Sequence, residues 1–295
     1  MRIRLIQMPY RGERNAPDIS SAPAYLDDEV LRQQLATYAS QTMPSVVIAL
    51  TPDQDEQYGE WNRVALANRH MATAIAEALS DDVLPIGLLA NCNALLGMLA
   101  GLQQATGSSR PRTIGLIWID AHADFNTPET TLSGMLGGMP VAASTGLCLH
   151  RLRQTSGMTS PISTEHIIMC GLRDVDRLEQ DLLDEHHVTQ LSIDDLQSHQ
   201  AVHQLFQSTD AVYVHVDMDV LDPVEVSGHP LTVPGGPTSE HLAKVLGDLF
   251  RQKCVEALGI ASTPPQECDT DGRAKAAAHR LICASAQGIT DRSPA

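Results

Sequence analysis

The amino-acid sequence predicts an α/β fold in which a mostly parallel sheet is covered by helices on both faces. Two observations predict it. Short β-branched or apolar runs alternate along the chain with longer stretches of helical spacing, the order expected of strands joined by crossover helices. In addition, two of the runs end in carboxylates and lead directly into loops rich in Gly, Pro, Thr and Ser, the arrangement of a site at the carboxyl ends of parallel strands. Hydrophobic residues make up 43% of the 295-residue chain and charged residues 19%, enough apolar material for one large domain spanning 1–295.

The elements follow in chain order. A first strand is expected over 2–7, where the apolar part is too short for a signal peptide, and a second over 45–50. Apolar repeats at helical spacing over 61–79 give a helix, followed by a strand over 84–89 and a second helix over 93–106. Strands are then expected over 113–120, 166–171 and 211–217. A third helix over 239–253 opens on Thr238-Ser239-Glu240, a capping sequence, and precedes a last strand over 255–261. The stretches 126–147 and 222–237 fit neither strand nor helix, and long loops inside a compact domain are commonly functional.

The formal charge of −16 argues against a nucleic-acid partner, because phosphate binding draws its affinity from Lys and Arg. No run of about 18 apolar residues exists, so no membrane partner is expected. The six cysteines show no C-x-x-C spacing, which suggests neither a disulfide framework nor a zinc knuckle and fits a cytoplasmic location.

Two clusters carry chemistry. In Ile119-Asp120-Ala121-His122-Ala123-Asp124, alternate residues of an extended chain would turn Asp120, His122 and Asp124 to one side. In Val216-Asp217-Met218-Asp219, the same alternation would bring Asp217 and Asp219 together. Like charges gathered at buried strand ends are costly unless cations join them, and four aspartates with one imidazole suit hard or borderline divalent ions such as Mn²⁺. Two such ions sharing a water would lower its pKa toward neutrality, which makes hydrolysis the natural reaction class.

With these residues in view, the chain resembles the ureohydrolase family of arginase, agmatinase and formimidoylglutamase. The resemblance rests on Asp120-Ala121-His122-Ala123-Asp124, on the loop from Asn126 to Gly134, on Gly171-Leu172-Arg173-Asp174-Val175-Asp176, and on Asp217-Met218-Asp219-Val220-Leu221-Asp222-Pro223, which occur in family order. It implies an arginase-like three-layer α/β/α architecture with about eight strands, a small-molecule substrate, and a homo-oligomer, trimer or hexamer. It further implies two Mn²⁺ ions with a bridging hydroxide as nucleophile. By motif, Asp120 and Asp217 bridge the ions, Asp124 and Cys92 complete one site, and His122 and Asp219 the other. Cys92 stands in Leu89-Ala90-Asn91-Cys92-Asn93 where the family usually has histidine, and a thiolate ligand would shift preference toward Zn²⁺ or Fe²⁺.

Further departures concern the substrate. Met135-Leu136-Gly137-Gly138-Met139 contains no histidine where arginases carry a proton shuttle, and Ser262 stands where they carry a glutamate that pairs with the guanidinium. Arginine would thereby lose a charge-assisted hydrogen bond, whereas an N-hydroxyguanidine would be better suited. His229, in the loop after Pro223, is the residue expected to take over proton transfer or to bind a substrate group. Asn126, Thr131 and Ser133 match positions that hold an α-carboxylate, and Asp176 matches one facing an α-amino group, so the substrate is expected to be amino-acid-like. Glu129 is a further charge that could reach a substrate amine, while His215, on the same strand face as Asp217, reads as a support to the ligands or as packing rather than as a ligand itself. Two alternatives stay open: a non-catalytic binding or regulatory protein on the arginase fold, and a two-metal hydrolase of another amide or ureido compound.

Overall fold

The computed structural model describes residues 1–10, 18–105 and 112–292. Its strands are β1 (Arg2–Met8), β2 (Gln41–Val47), β3 (Val83–Leu89), β4 (Ile114–Ile119), β5 (Ile167–Cys170), β6 (Thr189–Leu191), β7 (Ala211–Asp217) and β8 (Val255–Ala261). Residues of β3, β4, β5 and β7 are buried without exception, which is the signature of strands shielded on both faces. All eight join one sheet in the order β2-β1-β3-β8-β7-β4-β5-β6, and every pairing is parallel.

Alternate side chains of the strands feed two separate apolar cores. Ile114, Leu116 and Trp118 of β4 point into a core shared with helices Glu60–Ser80 and Leu95–Gln104. Ile117 and Ile119 point into the opposite core, against helices Ser239–Phe250 and Arg273–Thr290. The result is the expected three-layer α/β/α arrangement, and no helix among the described residues is long and apolar enough to cross a membrane.

Element boundaries follow the expectations closely where burial is complete. The helix expected over 61–79 runs Glu60–Ser80, and Thr238 caps Ser239–Phe250 by accepting from the His241 amide at 3.2 Å, though that helix ends three residues short of the expected 253. The helix expected over 93–106 begins with a tight turn at Cys92–Ala94 and continues as Leu95–Gln104; residue 106 lies outside the described residues. The second strand is displaced from 45–50 to Gln41–Val47. Pro44 interrupts the apolar run, but β2 is an edge strand, where a missing amide donor is tolerated, and the β1 register shifts beside it. β6 was not anticipated, being three residues long and only partly buried.

The strand order places the site. The chain builds β1, β2 and β3 on one side, crosses to β4, β5 and β6 on the other, and fills the gap with β7 and β8. The carboxyl ends of β3, β8, β7 and β4 therefore lie side by side, and Ile119 pairs with Val216 while both Asp217 and Leu89 pair with Ala261. Asp120 and Asp217 thus leave the sheet at the same level. This reversal of strand order is where ligands of parallel sheets bind.

Candidate metal centre

The expected carboxylates converge, but strand alternation is not what brings them together. β4 ends at Ile119 and β7 at Asp217, so both clusters lie on turns. In the first, the His122 amide donates to Asp120 Oδ1 at 2.7 Å, and Asp124 adopts a left-handed backbone with φ of 49°. In the second, the Asp219 amide donates to Asp217 Oδ1 at 2.9 Å and opens a single helical turn at Met218–Val220. In each turn the leading aspartate caps the backbone two residues on, which folds the second ligand back toward the first. Arg173 fixes the second turn from behind by donating to the carbonyls of Asp219, Val220 and Val233. At Gly236 a Cβ would collide with the Val220 carbonyl, so only glycine lets the 222–237 loop lie this close.

Three overlapping groups of donor atoms result, the atoms of each within 4.8 Å of one another: Cys92, Asp120 and Asp124; Asp120, His122 and Asp219; Asp217, Asp219 and His229. Asp120 and Asp219 each belong to two of them. Cys92 reaches the cluster because Asn91 accepts from the Asn93 amide and turns the chain after β3, leaving Cys92 Sγ 2.9 Å from Asp217 Oδ2. His122 Nδ1 lies 3.1 Å from Asp219 Oδ2 and 3.4 Å from Asp120 Oδ1. The six residues expected as ligands from the sequence all fall within these three groups, which also take in His229.

Electrostatics give the same picture from energy. Burial, reinforced by the charges of Asp219 and Asp217, pushes the Asp120 carboxyl well above the usual range, and burial does the same to Asp124. Burial and the neighbouring Asp219 raise Asp217 to about 6. Burial works against a charged His122, yet its contacts with Asp120 and Asp219 prevail and hold it at about 12; the same contacts outweigh burial at Asp219 and lower it. Cys92 is raised by burial and then by the surrounding aspartates. One imidazole cannot balance four buried carboxylates, so the donor set fits divalent cations.

These groups line a cavity of about 280 Å³ together with Asn126, Ser133, Asp174, Asp176, Glu179, His229 and Ser262. His229 is buried, and its Nδ1 accepts from the Leu231 amide at 3.1 Å. Ser262 lies 3.9 Å from Cys92 Sγ on a left-handed backbone with φ of 59°. Thr131 does not line the cavity; its hydroxyl accepts from the Gly134 amide at 3.1 Å and shapes the loop that presents Ser133. Glu129 is exposed and also outside the lining, which corrects the expectation that it meets a substrate amine. Glu179 was not anticipated. It is buried, accepts from the Phe125 amide at 2.7 Å, and is raised by burial against that bond. Its position three residues beyond Asp176, on the first turn of helix Arg177–Glu185, was the available signal.

A family model described as the arginase family matches residues 1–286. An arginase of Bacillus caldovelox is 32% identical over 199 residues, 64% of this chain and 64% of that protein, so the match spans just under two thirds of that relative's length. Among solved structures, an arginase from Bacillus subtilis superposes with a TM-score of 0.83 at 22% identity, covering 97% of this chain and 98% of that one. Formimidoylglutamase from Bacillus subtilis superposes with a TM-score of 0.75 at 17% identity over 99% of this chain and 88% of that one. At these identities the structural likeness speaks for the fold.

Proposed function

The chain belongs to the arginase family, and from that membership we propose that it is a metal-dependent hydrolase of a carbon-nitrogen bond in a linear amidine or guanidino compound. The observation that carries the proposal is Asp120, whose carboxylate is common to the Cys92-Asp120-Asp124 and Asp120-His122-Asp219 groups. A residue so placed would serve as a ligand common to two ions. Asp217, whose Oδ2 lies 2.9 Å from Cys92 Sγ of the first group and whose carboxylate is grouped with that of Asp219, would be the second shared ligand. Mn²⁺ suits the carboxylates, and Cys92 favours a softer ion such as Zn²⁺ or Fe²⁺ in its half of the centre. Two divalent ions held there would supply a hydroxide nucleophile at neutral pH from a shared water.

The residues around the centre account for the rest. Asp120 is assigned to accept a hydrogen bond from the attacking water and orient it toward the substrate carbon. Hydrolysis would then join the water oxygen to that carbon and break the bond from the carbon to the substrate amine; the water's protons would pass by way of Asp120 to the substrate nitrogens, one of them to the departing amine, leaving a urea from a guanidino compound or an amide from an amidine. Asp176 and Glu179 form an anionic rim suited to an ammonium group, and Asn126 and Ser133 offer donors for a carboxylate. An amino-acid-like substrate fits both.

The reacting end calls for a different partner. Ser262 and His229 bring no negative charge there, which favours a neutral group such as an N-hydroxyguanidine over the guanidinium of arginine. The role of His229 follows from its hydrogen bond. A backbone amide can only donate, so Nδ1 is an acceptor and the neutral ring carries its proton on Nε2. His229 thereby serves as a fixed donor to a substrate atom rather than as a relay.

The test is metal analysis of the purified protein followed by a screen of guanidino, N-hydroxyguanidino, formimino and ureido acids for released urea or ammonia. About two divalent ions per chain with turnover of a guanidino-type acid is the expected result. Ligand binding without product would point to a binding protein, and turnover restricted to ureido compounds to a different hydrolase.

A further inference from the structure

Behind the metal ligands lies a buried chain of polar groups that the reaction described above does not use. Tyr213, His215 and Asp217 alternate along β7 and so share one face of the sheet. The Tyr213 hydroxyl is 2.8 Å from His215 Nδ1, His215 Nε2 is 3.5 Å from Cys92 Sγ, and the Cys92 thiol donates to Asp217 Oδ2 at 2.9 Å. Tyr213 and His215 are both fully buried. The neighbouring strands are shaped around them. On β4, Trp118 pairs with His215 in register and stacks on its ring at 3.9 Å and 6°, its own N–H tied to the His122 carbonyl. On β8, Gly259 is the other register partner of His215, and a Cβ there would collide with the Tyr213 hydroxyl.

The direction of each hydrogen bond can be worked out by elimination. The thiol proton is committed to Asp217, so the sulfur meets Nε2 with lone pairs only, and Nε2 must supply the proton. A neutral imidazole with its proton on Nε2 has a lone pair on Nδ1, so the Tyr213 hydroxyl donates. All three bonds then run the same way, from Tyr213 through His215 and Cys92 to Asp217.

We propose that Tyr213 and His215 are positioning residues that aim and stabilise Cys92 Sγ as a metal ligand, making one half of the centre a dedicated sulfur site. An N–H donor to a ligating sulfur fixes its direction and offsets its charge, as outer-sphere partners of metal ligands commonly do. The stacked Trp118 and the absent side chain at Gly259 are what allow an imidazole at this depth. The proposal rests on the metal-centre reading given above, and its test separates the two.

Metal-free full-length protein is titrated with Co²⁺ while the sulfur-to-cobalt absorption band is followed. The wild type shows the band and Cys92→Ser lacks it. His215→Phe keeps a ring against Trp118 but removes the donor; it is expected to shift the band and weaken Co²⁺ binding at the sulfur half roughly tenfold or more. Tyr213→Phe, which loses a single hydroxyl, acts in the same direction more weakly and carries the test should His215→Phe fail to fold. In a Cys92→Ser background, His215→Phe leaves Co²⁺ affinity unchanged. A wild-type band and affinity in both His215→Phe and Tyr213→Phe, or an equal loss with and without Cys92, would overturn the proposal. Co²⁺ uptake by the wild type without any sulfur band overturns this inference alone, whereas no uptake at all overturns the metal centre with it.

Discussion

The sheet carries a cavity at each end, and the larger is chemically the quieter. Where the strands begin, about 540 Å³ is lined by Arg2, Arg112, Lys253 and Arg292 together with Asp82, Asp210 and Glu256. There Arg112 grips both oxygens of Glu256 at 2.7 Å, and Arg292 donates to the carbonyls of Phe250 and Val255. Where the strands end, about 280 Å³ gathers seven carboxylates, from Asp120, Asp124, Asp174, Asp176, Asp217, Asp219 and Glu179, against His122 and His229. What separates the two is not volume but the balance of charge. One end sets four cationic side chains against three carboxylates, and the other holds an excess of negative charge that protonation or bound cations would relieve.

The comparison can be broken most directly at Asp120. Asp120→Asn removes the charge common to two of the three donor groups and is expected to lower metal content below two ions per chain and turnover roughly a thousandfold. Near-normal metal content and rate would put the two ends on an equal footing.

A second expectation concerns pH. Asp217 is raised to about 6 by burial and Asp219, against an ordinary value of 3.8, so its protonated form favours the folded state. That contribution is complete below the ordinary value and is lost as the pH rises through about 6. Chelated protein should therefore lose several degrees of Tm between about pH 4 and 6 relative to metal-loaded protein, read by thermal melts of both forms. Parallel curves for the two forms would show that metal does not relieve this carboxyl.

Smaller effects sharpen the picture. His229→Ala should cost about tenfold in kcat/KM with no change in the shape of the pH profile, and His229→Gln, which restores an N–H donor, should recover most of it. Loss of one limb of the profile in His229→Ala would instead make the residue a proton relay. At the opposite end, Arg112→Ala should leave metal content and turnover alone and cost about 1 kcal/mol of stability in denaturant titration, since its ion pair is only partly buried. A change in turnover there would break the contrast altogether.

How much of this was readable beforehand depended on burial. The central strands β3, β7 and β8 lie within a residue of their expected limits, because runs buried on both faces leave no ambiguity about where they begin and end. At the sheet edges the pattern fades: Pro44 hid the start of β2, and the short β6 has no fully buried residue. The site was legible as a set of residues but not as a geometry. Asp120, His122 and Asp124 meet because a side chain caps the turn and because Asp124 takes a positive φ, neither of which spacing reveals. That His215 stands beside the ligands without being one was readable from its strand face, whereas its setting was not, since Trp118 and Gly259 lie on other strands. Thr131 shows the reverse case, a residue in the right motif whose hydroxyl is occupied by its own loop.

Ser262 occupies a left-handed backbone position held by a hydrogen bond from its amide to the Leu89 carbonyl at 3.1 Å. The conformational cost of about 1–2 kcal/mol belongs to the position and would be much the same for most other side chains. Exchanging the residue should therefore alter what projects into the floor of the cavity without rebuilding the loop beneath it. Ser262→Glu would extend a carboxylate along the same bond vector, so that, on the proposed function, the choice between charged and uncharged head groups would turn on one substitution that leaves the fold intact.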